Sequence, residues 1–115
     1  MIPTPRFIQG IFSFEGRGLD QPVPLASATY TVPADKRAQL IYFRGGNDSD
    51  ALICVTLTRD GKVMRHFPVG AKAAIHVPLA VVEDVFPESK LGLVLSAPKG
   101  AAGQAVVDVG IIEVD

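Results

Sequence analysis

Cys54, His66 and His76 are the residues whose types and spacing come nearest to a chemical site in this 115-residue chain. A thiol and two imidazoles, with the Met64 thioether two positions from His66, form a ligand set that suits copper or zinc. Their meeting depends on two turns. Arg59-Asp60-Gly61, read as a three-residue hairpin loop with Gly61 left-handed, sets Leu57 opposite Val63, Val55 opposite Arg65 and Ile53 opposite Phe67. The same register sets Cys54 opposite His66 and Thr56 opposite Met64 on the other face. If Gly70-Ala71-Lys72 is a second such loop, His66 faces His76. Opposed residues have Cβ atoms about 4.5–5.5 Å apart, close enough to share an ion. The plainer reading makes Cys54 a small buried hydrophobe and sends the link after Val69 to another sheet.

The other candidate sites are sparser. Arg44, Asn47 and Asp48 stand at the Gly-rich loop Gly45 to Asp50, where a small molecule such as a sugar or an anion can bind between strand ends. Asn47-Asp48-Ser49-Asp50 alternates oxygen donors as some calcium loops do, but lacks a further carboxylate and is made of strong turn formers. Asn47-Asp48-Ser49 also matches the glycosylation sequon, which is idle without a secretion signal. Arg37, Arg44, Arg59 and Arg65 can form an anion site only if the fold gathers them. Asp108, between Val107 and Val109, either points outward or pairs with an arginine. Gly16-Arg17-Gly18 does not open a helix, so it is no dinucleotide fingerprint. Neither a nucleophile elbow nor a Ser-His-acid set is present, so catalysis is the minority reading.

One surface is set apart by what it lacks. Leu52, Cys54, Thr56, Met64 and Ala74 would make an outer sheet face unusually apolar for contact with water, and such a patch marks a protein contact or a ligand site. The expectation is that it packs against a second subunit, or under the segment 80–90.

The elements that must position these residues are strands. Apolar residues alternate with period two, and Gly and Pro punctuate the chain at sandwich-like spacing. Strands are expected at Phe7–Phe14, Ala26–Val32, Gln39–Arg44, Leu52–Thr58, Lys62–Val69, Ala73–Leu79, Leu91–Ser96 and Ala105–Val114. Glu15–Pro24 reads as a Gly/Pro-rich connection, and 80–90 as a short helical turn. The inward set of the last strand is expected to switch near Gly110, from Val107 and Val109 to Ile112 and Val114, through a bulge.

The fold class is therefore all-β: a single domain over 1–115, a two-sheet antiparallel sandwich of about eight strands with little or no helix. The run Gly45 to Leu79 resembles many immunoglobulin-like and jelly-roll sandwiches, a likeness of architecture that carries no function.

Composition narrows the partners. A formal net charge of -1 gives no basic field for nucleic acid, and Trp is absent. No apolar run is long enough to span a bilayer as a helix. Met1-Ile2-Pro3-Thr4-Pro5-Arg6-Phe7 lacks a secretion-signal layout, so a cytoplasmic protein is expected if Met1 is the native start. With 48% hydrophobic residues, a domain this small has apolar surface to spare. The leading expectation is a non-catalytic domain acting in self-assembly or protein binding as a homo-oligomer or with another protein. The alternatives are a sugar or anion binder, and a copper or zinc protein.

Overall fold

The computed structural model describes residues 3–79 and 83–115. Among the described residues nine strands form two antiparallel sheets: β1 (Thr4–Glu15), β2 (Gly18–Thr31), β3 (Arg37–Asn47), β4 (Ile53–Arg59), β5 (Lys62–Val69), β6 (Ala74–Pro78), β7 (Asp84–Val85), β8 (Lys90–Ala97) and β9 (Ala102–Val114). One sheet runs β1-β9-β3-β6 with the short β7 also on β3; the other runs β2-β8-β4-β5. The pairs are nested: β1 with β9, β2 with β8, β3 with β6, β4 with β5. A chain paired this way is one long hairpin wrapped around a core, which is the jelly roll and not the immunoglobulin arrangement.

The period-two pattern explains the core. Ile53, Val55 and Leu57 on β4, Leu91, Leu93 and Leu95 on β8, and Val107, Val109 and Ile111 on β9 all face inward and are buried. Phe43 and Phe67 stack across the sheets with ring centroids 4.1 Å apart. At one end of the sandwich the Glu113 carboxylate is buried, and it accepts hydrogen bonds from the Tyr30 hydroxyl and the Arg6 Nε. A carboxylate facing inward is tolerated there because the Arg6 guanidinium balances its charge and the Tyr30 hydroxyl donates to it.

Four local expectations are corrected. The connection Glu15–Pro24 is largely strand: β2 begins at Gly18 and runs through Pro22 and Pro24. Proline is admissible because β2 is an edge. The β4-β5 turn has two residues, with Asp60 and Gly61 both at positive φ (51° and 81°), as a type I′ turn requires. Thr58 thus pairs Val63, and a bulge follows before Leu57 pairs Arg65, Thr56 pairs His66 and Ile53 pairs Val69. Beyond the bulge the face parity that the shorter turn had shifted is restored, so Ile53, Leu57 and Phe67 stay inward. Val63, expected on the same face, lies on the turn side and is exposed, and every cross-strand pair moves.

The inward set of β9 does not switch at Gly110; Ile111 and Glu113 stay buried. The irregularity lies on the neighbouring strand, where β3 has an extra residue, Ile41, between Leu40 opposite Ile111 and Tyr42 opposite Gly110. Of the segment expected as a helical turn, 80–82 lie outside the described residues. Residues 83–90 contain β7 and a turn, with no helix. No helix among the described residues is long and apolar enough to cross a membrane.

Candidate functional site

The three sequence-predicted metal ligands are divided between the sheets. Cys54 and His66 share the outer face of the β2-β8-β4-β5 sheet, with Sγ 3.8 Å from Nδ1. Thr56 Oγ1 lies between them, 2.8 Å from the same nitrogen. His76 is on β6, which pairs with β3 in the other sheet and sets His76 opposite Arg44. The link after Val69 crosses over instead of forming a hairpin, and this removes the third ligand. Among the described residues no group of three His, Cys, Asp or Glu side chains is placed to hold a metal.

The apolar face proposed from Leu52, Thr56, Met64 and Ala74 is likewise not assembled. Leu52 is exposed, but Thr56 is buried on the central strand between Val94 and His66. Met64, the bulge residue, packs on the core, and Ala74 belongs to the other sheet.

Arg44, Asn47 and Asp48 do not form a common loop site. Asn47 is buried, and its Nδ2 donates to the carbonyls of Ala51 (2.8 Å), Gly70 (3.1 Å) and Val69 (3.3 Å). Its Oδ1 accepts from Ser49 N and Oγ. Asp48 Oδ1 accepts from Gln104 N at 2.6 Å. Both side chains are occupied in joining strand ends. The four arginines are dispersed too: Arg37 pairs with Asp84, Arg44 lies near Asp108, and Arg59 and Arg65 are in the other sheet.

Arg44 instead belongs to the outer face of β1-β9-β3-β6. The register places three rungs across four strands there: Phe7, Gly110, Tyr42 and Pro78; then Gln9, Asp108, Arg44 and His76; then Ile11, Val106, Gly46 and Ala74. The middle rung is wholly polar and spans the sheet, about 14 Å at three strand spacings. Its centre is Asp108. Gln9 Nε2 donates to Oδ1 at 3.2 Å, and the Tyr42 hydroxyl reaches both carboxylate oxygens at 3.1 Å. Arg44 Nη1 stays 3.9 Å from Oδ2, an ionic contact too long for a hydrogen bond. The guanidinium is held 4.8 Å above the Tyr42 ring, whose edge meets His76 at 5.9 Å between centroids.

Tyr42 can lie flat because Gly110 beneath it has no side chain; a Cβ there would come within 2.1 Å of its ring. Beside the polar rung, Gly46, Ala74 and Val106 form the floor of a shallow groove of about 580 Å³, with Arg44, His76 and Asp108 along one side. An apolar floor with convergent donors and acceptors is the usual construction of a small-ligand site. Phe7, Ile11 and Val106 extend the apolar surface around it.

Both tyrosines are held above the ordinary phenol value of 10.0. Burial acts most strongly on Tyr42, followed by its hydrogen bond to Asp108 and that carboxylate's charge, while Arg44 opposes them. Tyr30 is raised by burial and then by Glu113. The folded state therefore favours the neutral phenol. This contribution to stability is complete below pH about 10 and is lost as pH rises through the folded values. An alkaline titration followed by tyrosinate absorbance is expected to show both side chains largely neutral at pH about 10, where free tyrosine is half ionised. Normal titration of either one would contradict its placement.

No family model matches the chain, and no curated protein does. Among solved structures it is similar to the CBM36-1 domain of a multidomain xylanase from the hindgut metagenome of Trinervitermes trinervoides. The TM-score is 0.62 at 16% sequence identity, over 95% of this chain and 96% of that one. The likeness bears on the fold alone: an all-β, two-sheet sandwich domain, matched over nearly its whole length.

Proposed function

We propose that this chain is a non-catalytic carbohydrate-binding domain whose ligand lies on the outer face of β1-β9-β3-β6. The observation that carries the reading is the rung Gln9, Asp108, Arg44 and His76 beside the apolar floor of Gly46, Ala74 and Val106. A sugar ring has hydroxyls that both donate and accept, and a C–H face that packs on apolar surface. The carboxylate and guanidinium match the first, and the floor matches the second. The opposite charges of Asp108 and Arg44 favour an uncharged glycan over an ionic one. The whole-length similarity to the CBM36-1 domain of a xylanase, a carbohydrate-binding module, supports the same reading over self-assembly alone.

The roles divide by position. Asp108, Arg44, His76 and Gln9 meet hydroxyls, while Tyr42 positions Asp108 and Arg44 and has little ring surface left for the ligand. Asp108→Ala and Arg44→Ala are each expected to weaken binding tenfold to a hundredfold, since a charge-assisted hydrogen bond contributes about 1.5–3 kcal/mol. Calorimetry with soluble xylan, mannan and mixed-linkage glucan fragments is the check. Thr29→Ala and His66→Ala, on the opposite sheet, should leave affinity unchanged. Absence of binding to every glycan, or loss caused by the opposite-sheet variants, overturns the proposal.

A further inference from the structure

The outer edges of the two sheets are not alike. β2 contains Pro22 and Pro24 and breaks register twice against β8. β5 contains Pro68, and β6 is five residues long and ends at Pro78. Prolines, breaks and shortness are the features that keep a strand edge from adding another chain. β1 has none of them beyond Pro5. It holds one unbroken register against β9 from Thr4 to Glu15, and among the described residues its other side has no partner strand. Phe7 and Ile11 stand on its outer face 53% and 67% exposed.

We infer that β1 pairs edge to edge and antiparallel with β1 of a second copy, about a two-fold axis at Gln9. The axis must keep both cores on one side of the joined sheet, so residues of equal parity oppose each other. Four such registers are near the middle of the strand. Centring on Ile8 sets Phe7 against Gln9, apolar against polar. Centring on Gly10 sets Phe7 against Ser13 and Gln9 against Ile11, mixing polar with apolar. Centring on Ile11 sets Phe7 against Glu15. Centring on Gln9 sets each Phe7 against the partner's Ile11 and the two Gln9 amides against each other, like with like. On the inner side the same register brings Ile8 to the partner's Gly10, which has no side chain to crowd it. The formal net charge of -1 offers little repulsion between copies.

The dimer stands independently of the glycan reading, but one consequence rests on that reading. With Gln9 on the axis, the two polar rungs join into one row across eight strands, about 34 Å long at seven strand spacings. A long glycan would then engage both copies at once, gaining avidity over either alone.

Sedimentation without any sugar tests the pairing. The chain is expected to sediment at twice its 12.2 kDa as concentration rises, and F7K/I11K should remain monomeric with an unchanged circular-dichroism spectrum. In a C54S background, Q9C should form an intermolecular disulfide on mild oxidation, and I11C should not. A monomer at every concentration, a dimer indifferent to F7K/I11K, or cross-linking through I11C instead of Q9C overturns the inference. None of these outcomes bears on whether a monomer binds glycan. A dimer that binds no glycan removes the earlier reading and leaves the pairing intact.

Discussion

Replacing Asn47 with alanine is expected to lower the unfolding free energy by about 3 kcal/mol, among the largest effects of any polar substitution in the chain. Its amide serves three carbonyls at two places, Ala51 before β4 and Val69 with Gly70 where β5 ends, while its carbonyl oxygen fixes Ser49. The site is buried, so alanine removes these bonds where water has little access; Gly70 O keeps only Ala73 N and Ala51 O keeps only Ser49 Oγ. Each lost neutral hydrogen bond contributes about 1 kcal/mol, and the three donated by the Asn47 amide go together. Asn47→Asp should also destabilise, since a carboxylate keeps the contact with Ser49 but repels the three carbonyls. Urea denaturation measures both. A loss under about 0.5 kcal/mol, typical of a surface change, would mean that Asn47 does not hold these connections together.

Gly110→Val is expected to abolish measurable glycan binding and to cost about 1–3 kcal/mol in stability. The added side chain enters the space under Tyr42, where even a Cβ would approach the ring to 2.1 Å. The ring must lift, and with it go the hydroxyl contact to Asp108 and the seat of the Arg44 guanidinium. The variant touches no ligand group directly. Its effect therefore distinguishes an arranged rung from a collection of independent polar residues. Calorimetric titration beside a thermal melt reads both parts. Wild-type affinity in a folded Gly110→Val protein would show that Tyr42 positions nothing.

Much of the fold is legible because a buried strand declares itself every second residue. Ile53, Val55 and Leu57, and Leu91, Leu93 and Leu95, are inward as their alternation requires. Register is harder to read. Asp60-Gly61 is compatible with two- and three-residue loops, and nothing local announces that Met64 will bulge and restore the faces. The extra residue at Ile41 is similarly silent, being set by how β3 fits between β9 and its other neighbours.

The site was still less visible. Arg44 and Asp108 attract notice singly, one at a Gly-rich loop and one between two valines. Their rung, however, joins Gln9 to Asp108 across 99 positions, and only nested pairing brings such distant segments together. Asn47 misleads for a related reason. A residue rich in donors and acceptors at a loop looks free for a ligand until the carbonyls around it are in place. The Cys54 and His66 pair survives the register error because the bulge keeps them on one face, while His76 leaves with β6.

An amide-resolved NMR titration with a soluble glycan fragment tests the central claim most directly, because it locates contact without assuming a residue. The account predicts shift changes concentrated on Gln9, Arg44, His76, Val106 and Asp108, with the outer face around Cys54 and His66 unmoved. Changes confined to that opposite face, or to the Asn47–Asp50 connection, would contradict it.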